Sequence, residues 1–263
     1  MRRIDYHMHT RFSSDSEANP EEHIKQAIKL ELDEICFTDH YDVDYPYTPF
    51  ILDIENYAKE MNLLKEKYKD QIIIKIGMEM GLDPIHQKEI NRVTSLYPFD
   101  FIIGSIHAVG NTEFCYGDYF QGKTKHEAHT EYFNQVKKSI EMFDCFNVFG
   151  HLDYIERYGI YDDNSVDTER YMDIIDDCLK LLISKNKGLE VNSSGYLLRN
   201  EGFPKRSILQ RYYDLGGRIV TIGTDSHTSD RVGENVDSII QILTEIGFED
   251  VTTFTNQKPD VSI

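Results

Sequence analysis

Residues 72–79 read IIIKIGME, an apolar, β-branched run that closes on a carboxylate. So short a run, bounded by polar residues, is read as a buried strand. A buried carboxylate without a partner is costly, so Glu79 at its end asks for compensating chemistry elsewhere in the chain. Six further runs share this form: RRIDYH (2–7), EICFTDH (34–40), DFIIGSIH (100–107), FNVFGH (146–151), GLEVNSS (188–194) and RIVTIGTDSH (218–227). They recur about every 30 to 45 residues, which leaves room for a helix and loops in each gap. That alternation is the mark of βα repeats around a parallel sheet. Seven strands suggest an α/β barrel, with an open doubly wound sheet as the alternative.

Helix starts and stops support this spacing. Asn19-Pro20-Glu21-Glu22 supplies a cap, an N1 proline and first-turn acids before IKQAIKLEL, and Asp83-Pro84 repeats the pattern before IHQKEINRV. Asp167 or Thr168 opens RYMDIIDDCLKLLISKNK, which Gly188 is expected to end, and Gly216-Gly217 closes the helix after Pro204. No low-complexity linker or composition shift interrupts the chain, so residues 1–263 are read as a single domain.

Composition excludes several function classes. Asp plus Glu number 46 against 28 Lys plus Arg, a net charge of −18. A field of that sign opposes binding of a nucleic acid polymer and favours metal ions and amine-bearing small molecules. Four scattered cysteines, no apolar leader and no long apolar stretch predict a cytoplasmic protein with free thiols and no membrane contact. The oligomeric state is not legible.

The strand ends share one chemistry. They present His7 and His9, Asp39-His40, Glu79, His107, His151 with Asp153, and Asp225 with His227. Active sites of β/α barrels lie at this C-terminal edge, and side chains two apart on a strand share a face. A lone histidine there is more often a hydrogen-bonded polar residue than a ligand, and a lone acid more often a helix cap. At least five strands ending this way point instead to a site for more than one divalent ion. Imidazole and carboxylate without thiolate suit Zn, Mn or Fe. His126 and His129 in KHEAHTEYF, together with His23 and His86, are read as solvated helix residues. GDYFQGK and LGGRIV lack the strand and helix context of a dinucleotide loop.

DYHMHTRFSSDS, FTDH, GME, GSIH, GHLD and GTDSH, in that order, resemble the motifs of the PHP (polymerase and histidinol phosphatase) superfamily. GHLDYIERYG and EVNSSGYLLRNEGFP look closest to its free-standing histidinol-phosphate phosphatases. The resemblance implies a distorted (β/α)7 TIM-like barrel holding two or three divalent ions at the C-terminal strand ends. His7, His9, Glu79 and Asp225 would bind one ion. Glu79 would bridge to a second held by His107 and His151, and Asp15, His40 and His227 would hold a third.

The implied reaction is hydrolysis of a phosphate monoester, L-histidinol phosphate, with metal-bound hydroxide attacking phosphorus in line. Arg157 and Arg199, in loops on the same side, are candidate phosphate contacts. Asp153 or His227 is the candidate acid for the leaving group. The alternatives are a PHP-type phosphoesterase acting on nucleotides or phosphotyrosine, and a non-catalytic metal-stabilised module.

Overall fold

The structure is a computed structural model describing residues 1–110 and 112–260. The first half contains β1 (Ile4–Asp5), α1 (Pro20–Lys29), β2 (Glu34–Phe37), β3 (His40–Tyr41), α2 (Ile54–Tyr68) and β4 (Ile73–Gly81). Next come α3 (Gln87–Val93), β5 (Phe101–Ser105), the hairpin β6 (Ala108–Val109) and β7 (Thr112–Glu113), and α4 (Lys125–Met142). The remainder holds β8 (Val148–Phe149), α5 (Thr168–Ser184), β9 (Gly188–Asn192), α6 (Arg206–Asp214), β10 (Val220–Gly223) and α7 (Val236–Ile246). A final hairpin pairs β11 (Phe254–Thr255) with β12 (Lys258–Pro259).

Seven strands form a parallel sheet in the order β1-β2-β4-β5-β8-β9-β10. The sheet curls until its edges meet: Tyr6 N donates to Ile222 O, Asp225 N to His7 O and His9 N to Ser226 O, each at 2.8 Å. This is the barrel rather than the open sheet. Closure removes the free edges, and it brings the first and last motifs of the chain together.

All seven expected runs contain a barrel strand. EICFTDH is split, because Thr38 and Asp39 leave the ladder before β3 rejoins β4 in unchanged register, with His40 opposite Glu79. Asn19 caps α1 as expected, its Oδ1 accepting from Glu21 N at 2.9 Å. Asp83 opens a single 3₁₀ turn (Pro84–His86) before α3 begins. The expected end of α5 at Gly188 is incorrect: the helix stops at Ser184, and Gly188 is the first residue of β9. Asn186, at φ 54°, takes a left-handed conformation just past the helix end.

The N-terminal end of the barrel is plugged. Phe101 packs between Tyr6 and Phe254, with ring centroids 5.0 and 5.1 Å away. Lys75 Nζ donates to Thr255 Oγ1 at 2.6 Å and lies 3.4 Å from Asp260 and 3.6 Å from Glu34. Tyr6 donates its hydroxyl proton to the same Glu34. The C-terminal end is open. No helix among the described residues is long and apolar enough to cross a membrane.

Candidate metal centre

Glu79 ends its run inside the barrel mouth, fully buried. Its two oxygens face opposite groups of imidazoles. Oε2 lies 3.2 Å from His7 Nε2, 3.5 Å from His9 Nε2 and 2.9 Å from His40 Nδ1. Oε1 lies 3.0 Å from His151 Nε2 and 3.2 Å from His107 Nε2. Asp225 Oδ1 stands 3.3 Å from His9 Nε2 and 3.7 Å from His7 Nε2. Asp15, on the loop after β1, reaches His227 Nε2 at 3.1 Å and His40 Nε2 at 3.6 Å. All nine candidate ligands therefore converge on one mouth. Grouped by mutual distance, they form overlapping sets: His7, His9 and Glu79; Glu79, His107 and His151; His9, His40 and His227.

Hydrogen bonds behind the rings fix which nitrogen faces the centre. The Nδ1 of His107 reaches Asp42 Oδ1 at 3.0 Å, and that of His227 reaches the Asp225 carbonyl at 3.0 Å. The Nδ1 of His9 reaches Ser13 Oγ at 3.2 Å, and Ser13 donates to Asp39 at 2.8 Å. An Nδ1–H that donates outward leaves the Nε2 lone pair aimed inward. The inner atoms then face one another as lone pairs: His7 Nε2 and His9 Nε2 are 3.0 Å apart, and Glu79 Oε2, though buried, has no hydrogen-bond donor. Such an arrangement is repulsive unless cations sit between the groups, so the residues present fit divalent ions.

Charge shifts agree. Burial opposes ionisation of Glu79, yet His7, His107 and His40 outweigh it and hold the carboxyl well below its usual range. Burial depresses the His7 imidazole, but Glu190, Glu79 and Asp225 together raise it well above the ordinary histidine value. The same surplus of carboxylate would favour a metal ion in place of the proton. Backbone strain marks the site as well. His151 and Asp225 adopt φ of 23° and 55°, left-handed values that non-glycine residues rarely take.

The mouth opens into a cavity of 270 Å³ lined by seven of the nine candidate ligands, all but His7 and His9, with Tyr154, Arg157, Tyr158 and Arg231. A second cavity of 310 Å³ adjoins it, sharing Asp15, His40, His107, Tyr154 and Tyr158, and adds Tyr45, Phe50 and Tyr116.

The structure separates the two arginines and the two candidate acids. Arg157 lines the first cavity, with Nη1 3.1 Å from Ser194 Oγ and 3.4 Å from Asp225 Oδ2. Arg199 does not line it. Its guanidinium is taken up by Asp153 at 2.9 Å, by Glu156 and by the face of Phe203. Asp153 is fully buried in the same cluster and also accepts from Lys205 N at 3.0 Å, so it too stands away from the cavity. A charge-paired cluster holds both groups away from the cavity, a possibility the loop positions alone could not exclude. His23 and His129 are also corrected: both are buried, not solvated.

Arg231 and Glu190 were missed by the sequence reading. Glu190 carried the same signal as Glu79, an acid within an apolar strand. Arg231, four residues beyond His227, carried none.

A match to the PHP domain covers residues 5–194. The chain belongs to the PHP family. A histidinol-phosphatase of Lactococcus lactis subsp. lactis is 38% identical over 262 residues, covering 99% of this chain and 97% of that protein. A protein of Clostridium acetobutylicum described as a probable histidinol-phosphatase is 32% identical over 240 residues, covering 91% of this chain and 92% of that protein. The crystal structure of the Lactococcus lactis histidinol phosphate phosphatase, complexed with Zn, L-histidinol and phosphate, superposes with a TM-score of 0.94 at 38% identity and covers 99% of each chain.

Proposed function

We propose that this chain is a metal-dependent histidinol-phosphatase, a cytoplasmic enzyme of one barrel domain over residues 1–263, of which 261–263 lie outside the described residues. It hydrolyses L-histidinol phosphate to L-histidinol and phosphate. The observation that carries this reading is Glu79, whose oxygens each face a separate group of imidazoles, as a carboxylate bridging two ions would. The substrate assignment rests on full-length similarity to the Lactococcus lactis enzyme.

Two or three divalent ions, Zn, Mn or Fe, are assigned to the mouth. His7, His9, Glu79 and Asp225 would hold the first, Glu79, His107 and His151 the second, and Asp15, His40 and His227 the third. Ions bound there acidify water and withdraw charge from phosphoryl oxygens.

The protein's own groups do the rest. Arg157 lines the cavity and can bind two phosphoryl oxygens with its planar fork, orienting phosphorus for in-line attack. Tyr154 stacks on His151 with centroids 4.1 Å apart, which holds that ring and keeps the mouth apolar on one side. Of the two candidate acids, His227 lines the cavity and Asp153 does not; His227 would protonate the leaving alkoxide only in a centre of two ions, where its Nε2 is not engaged as a ligand of the third. The aromatic second cavity has the size and chemistry for an imidazole, and the acidic surface favours an amine.

Phosphate release from histidinol phosphate, nucleoside monophosphates and phosphotyrosine, measured on protein reconstituted with each metal, tests the reading. The highest kcat/KM is expected for histidinol phosphate, and a place among the poorest substrates would overturn the specificity.

A further inference from the structure

Six barrel strands lead into at least one candidate ligand; β9 does not. It contributes Glu190, a carboxylate only 1% exposed, which stands behind the ligands. Glu190 Oε1 lies 2.5 Å from His7 Nδ1. Its Oε2 accepts from the backbone N–H of His151 at 2.9 Å and from Asn192 Nδ2 at 3.2 Å. Two strand-end glycines leave the room it occupies. A Cβ at Gly223 would stand 2.4 Å from Glu190 Oε1 and 2.3 Å from His7 Cβ. A Cβ at Gly150 would come within 3.4 Å of Glu190 Oε2 and 2.5 Å of Ser105 Oγ, the hydroxyl that donates to Glu79.

We propose that Glu190 is a positioning residue that locks His7 in the tautomer protonated at Nδ1 and thereby sets occupancy of the ion site shared by His7, His9, Glu79 and Asp225. An ionised carboxylate only accepts hydrogen bonds, so His7 Nδ1 must donate, which leaves the Nε2 lone pair free. That lone pair points at Glu79 and Asp225. The other oxygen holds the backbone at His151, a ligand of the neighbouring site. One side chain thus serves both sites by different atoms, and a single substitution can separate the two roles. In Glu190→Gln the amide oxygen keeps the His151 and Asn192 side, where two donors demand an acceptor. The amide NH₂ then faces His7 Nδ1 and donates to it. His7 is driven to the Nε2–H tautomer, which has no lone pair for a cation.

The inference rests on the metal reading above, so its test counts ions rather than turnovers. Zinc content and affinity of the intact chain are measured by mass spectrometry and chelator competition, for wild type, E190Q, H7Q and the double variant. In E190Q one zinc equivalent is expected to weaken about 10- to 100-fold, with the other equivalents unchanged. Adding E190Q to H7Q is expected to cause no further loss, because Glu190 acts through His7. Unchanged affinity in E190Q, equal weakening of every equivalent, or additive losses in the double variant would overturn this inference and leave the metal reading standing. A wild-type chain that binds no divalent ion would overturn both.

Discussion

The two ends of the barrel both bury charge, but they satisfy it differently. At the N-terminal end every charged group meets a complementary partner inside the protein: Tyr6 with Glu34, and Lys75 with Thr255, Asp260 and Glu34. At the C-terminal end, acceptors face acceptors. Glu79 and Asp225 stand against the Nε2 atoms of His107 and His9, whose Nδ1 protons are directed outward, and Glu79 Oε2 accepts no well-directed hydrogen bond. The first arrangement is complete without help and serves stability. The second is complete only with cations, and therefore marks function.

Removing the ions should break this contrast most strongly. Chelation is expected to abolish turnover and lower the melting temperature, since a ligand at a thousandfold excess over its Kd contributes about 4 kcal/mol. Calorimetry with and without chelator measures the shift; an unchanged Tm would mean the C-terminal end is satisfied without metal.

At the other end, Lys75→Met removes the cation that faces Glu34 and Asp260 and is expected to cost about 3 kcal/mol in denaturant unfolding. Turnover per folded molecule should stay at the wild-type value, because Lys75 is remote from the cavity. A variant of wild-type stability with impaired turnover would invert the assignment of the two ends.

Arg157 and Arg199 sharpen the comparison within the active end. Arg157→Met removes a charged hydrogen-bonding group from the cavity and should lower kcat/KM by tenfold to a hundredfold, corresponding to about 1.5–3 kcal/mol. Arg199→Met instead deprives buried Asp153 of its guanidinium partner, so its main effect should be on stability. Steady-state kinetics paired with unfolding curves separate the two, and a larger kinetic loss for Arg199→Met would contradict the placement.

The smallest effect lies on α4, where burial, with Lys125 and Lys205 nearby, lowers the His129 imidazole to about 4. The unfolded chain, with an ordinary value near ~6.5, binds the proton more readily. The stability linked to His129 is therefore full above pH ~6.5 and is lost as pH falls toward 4, by at most about 1.4 kcal/mol per pH unit. His129→Leu should show a shallower decline between pH 7 and 5 than wild type, and parallel slopes would remove His129 from this role.

Much of this was legible in the chain. Apolar runs located every barrel strand, and the six that end on His, Asp or Glu pointed to eight of the nine candidate ligands, because strand burial and ligand chemistry both act through residue type at fixed positions; Asp15, on a loop, came only from the resemblance to PHP motifs. Pairing between distant loops was less legible. Arg199 and Asp153 looked like site residues by position, and only the folded geometry shows that they neutralise each other. His23 and His129 were misread because one apolar face can bury an imidazole that sequence treats as polar. Glu190 was hidden for a different reason: it touches ligands from behind, and sequence offers no sign of which acid stands in front.

The central claim is that Glu79 joins two cation sites into one catalytic centre. Phosphate release from histidinol phosphate by the metal-reconstituted protein, compared with Glu79→Gln at equal folded concentration, tests it most directly. Loss of turnover with an intact fold is the predicted result. Near-wild-type turnover in the Glu79→Gln protein would contradict it.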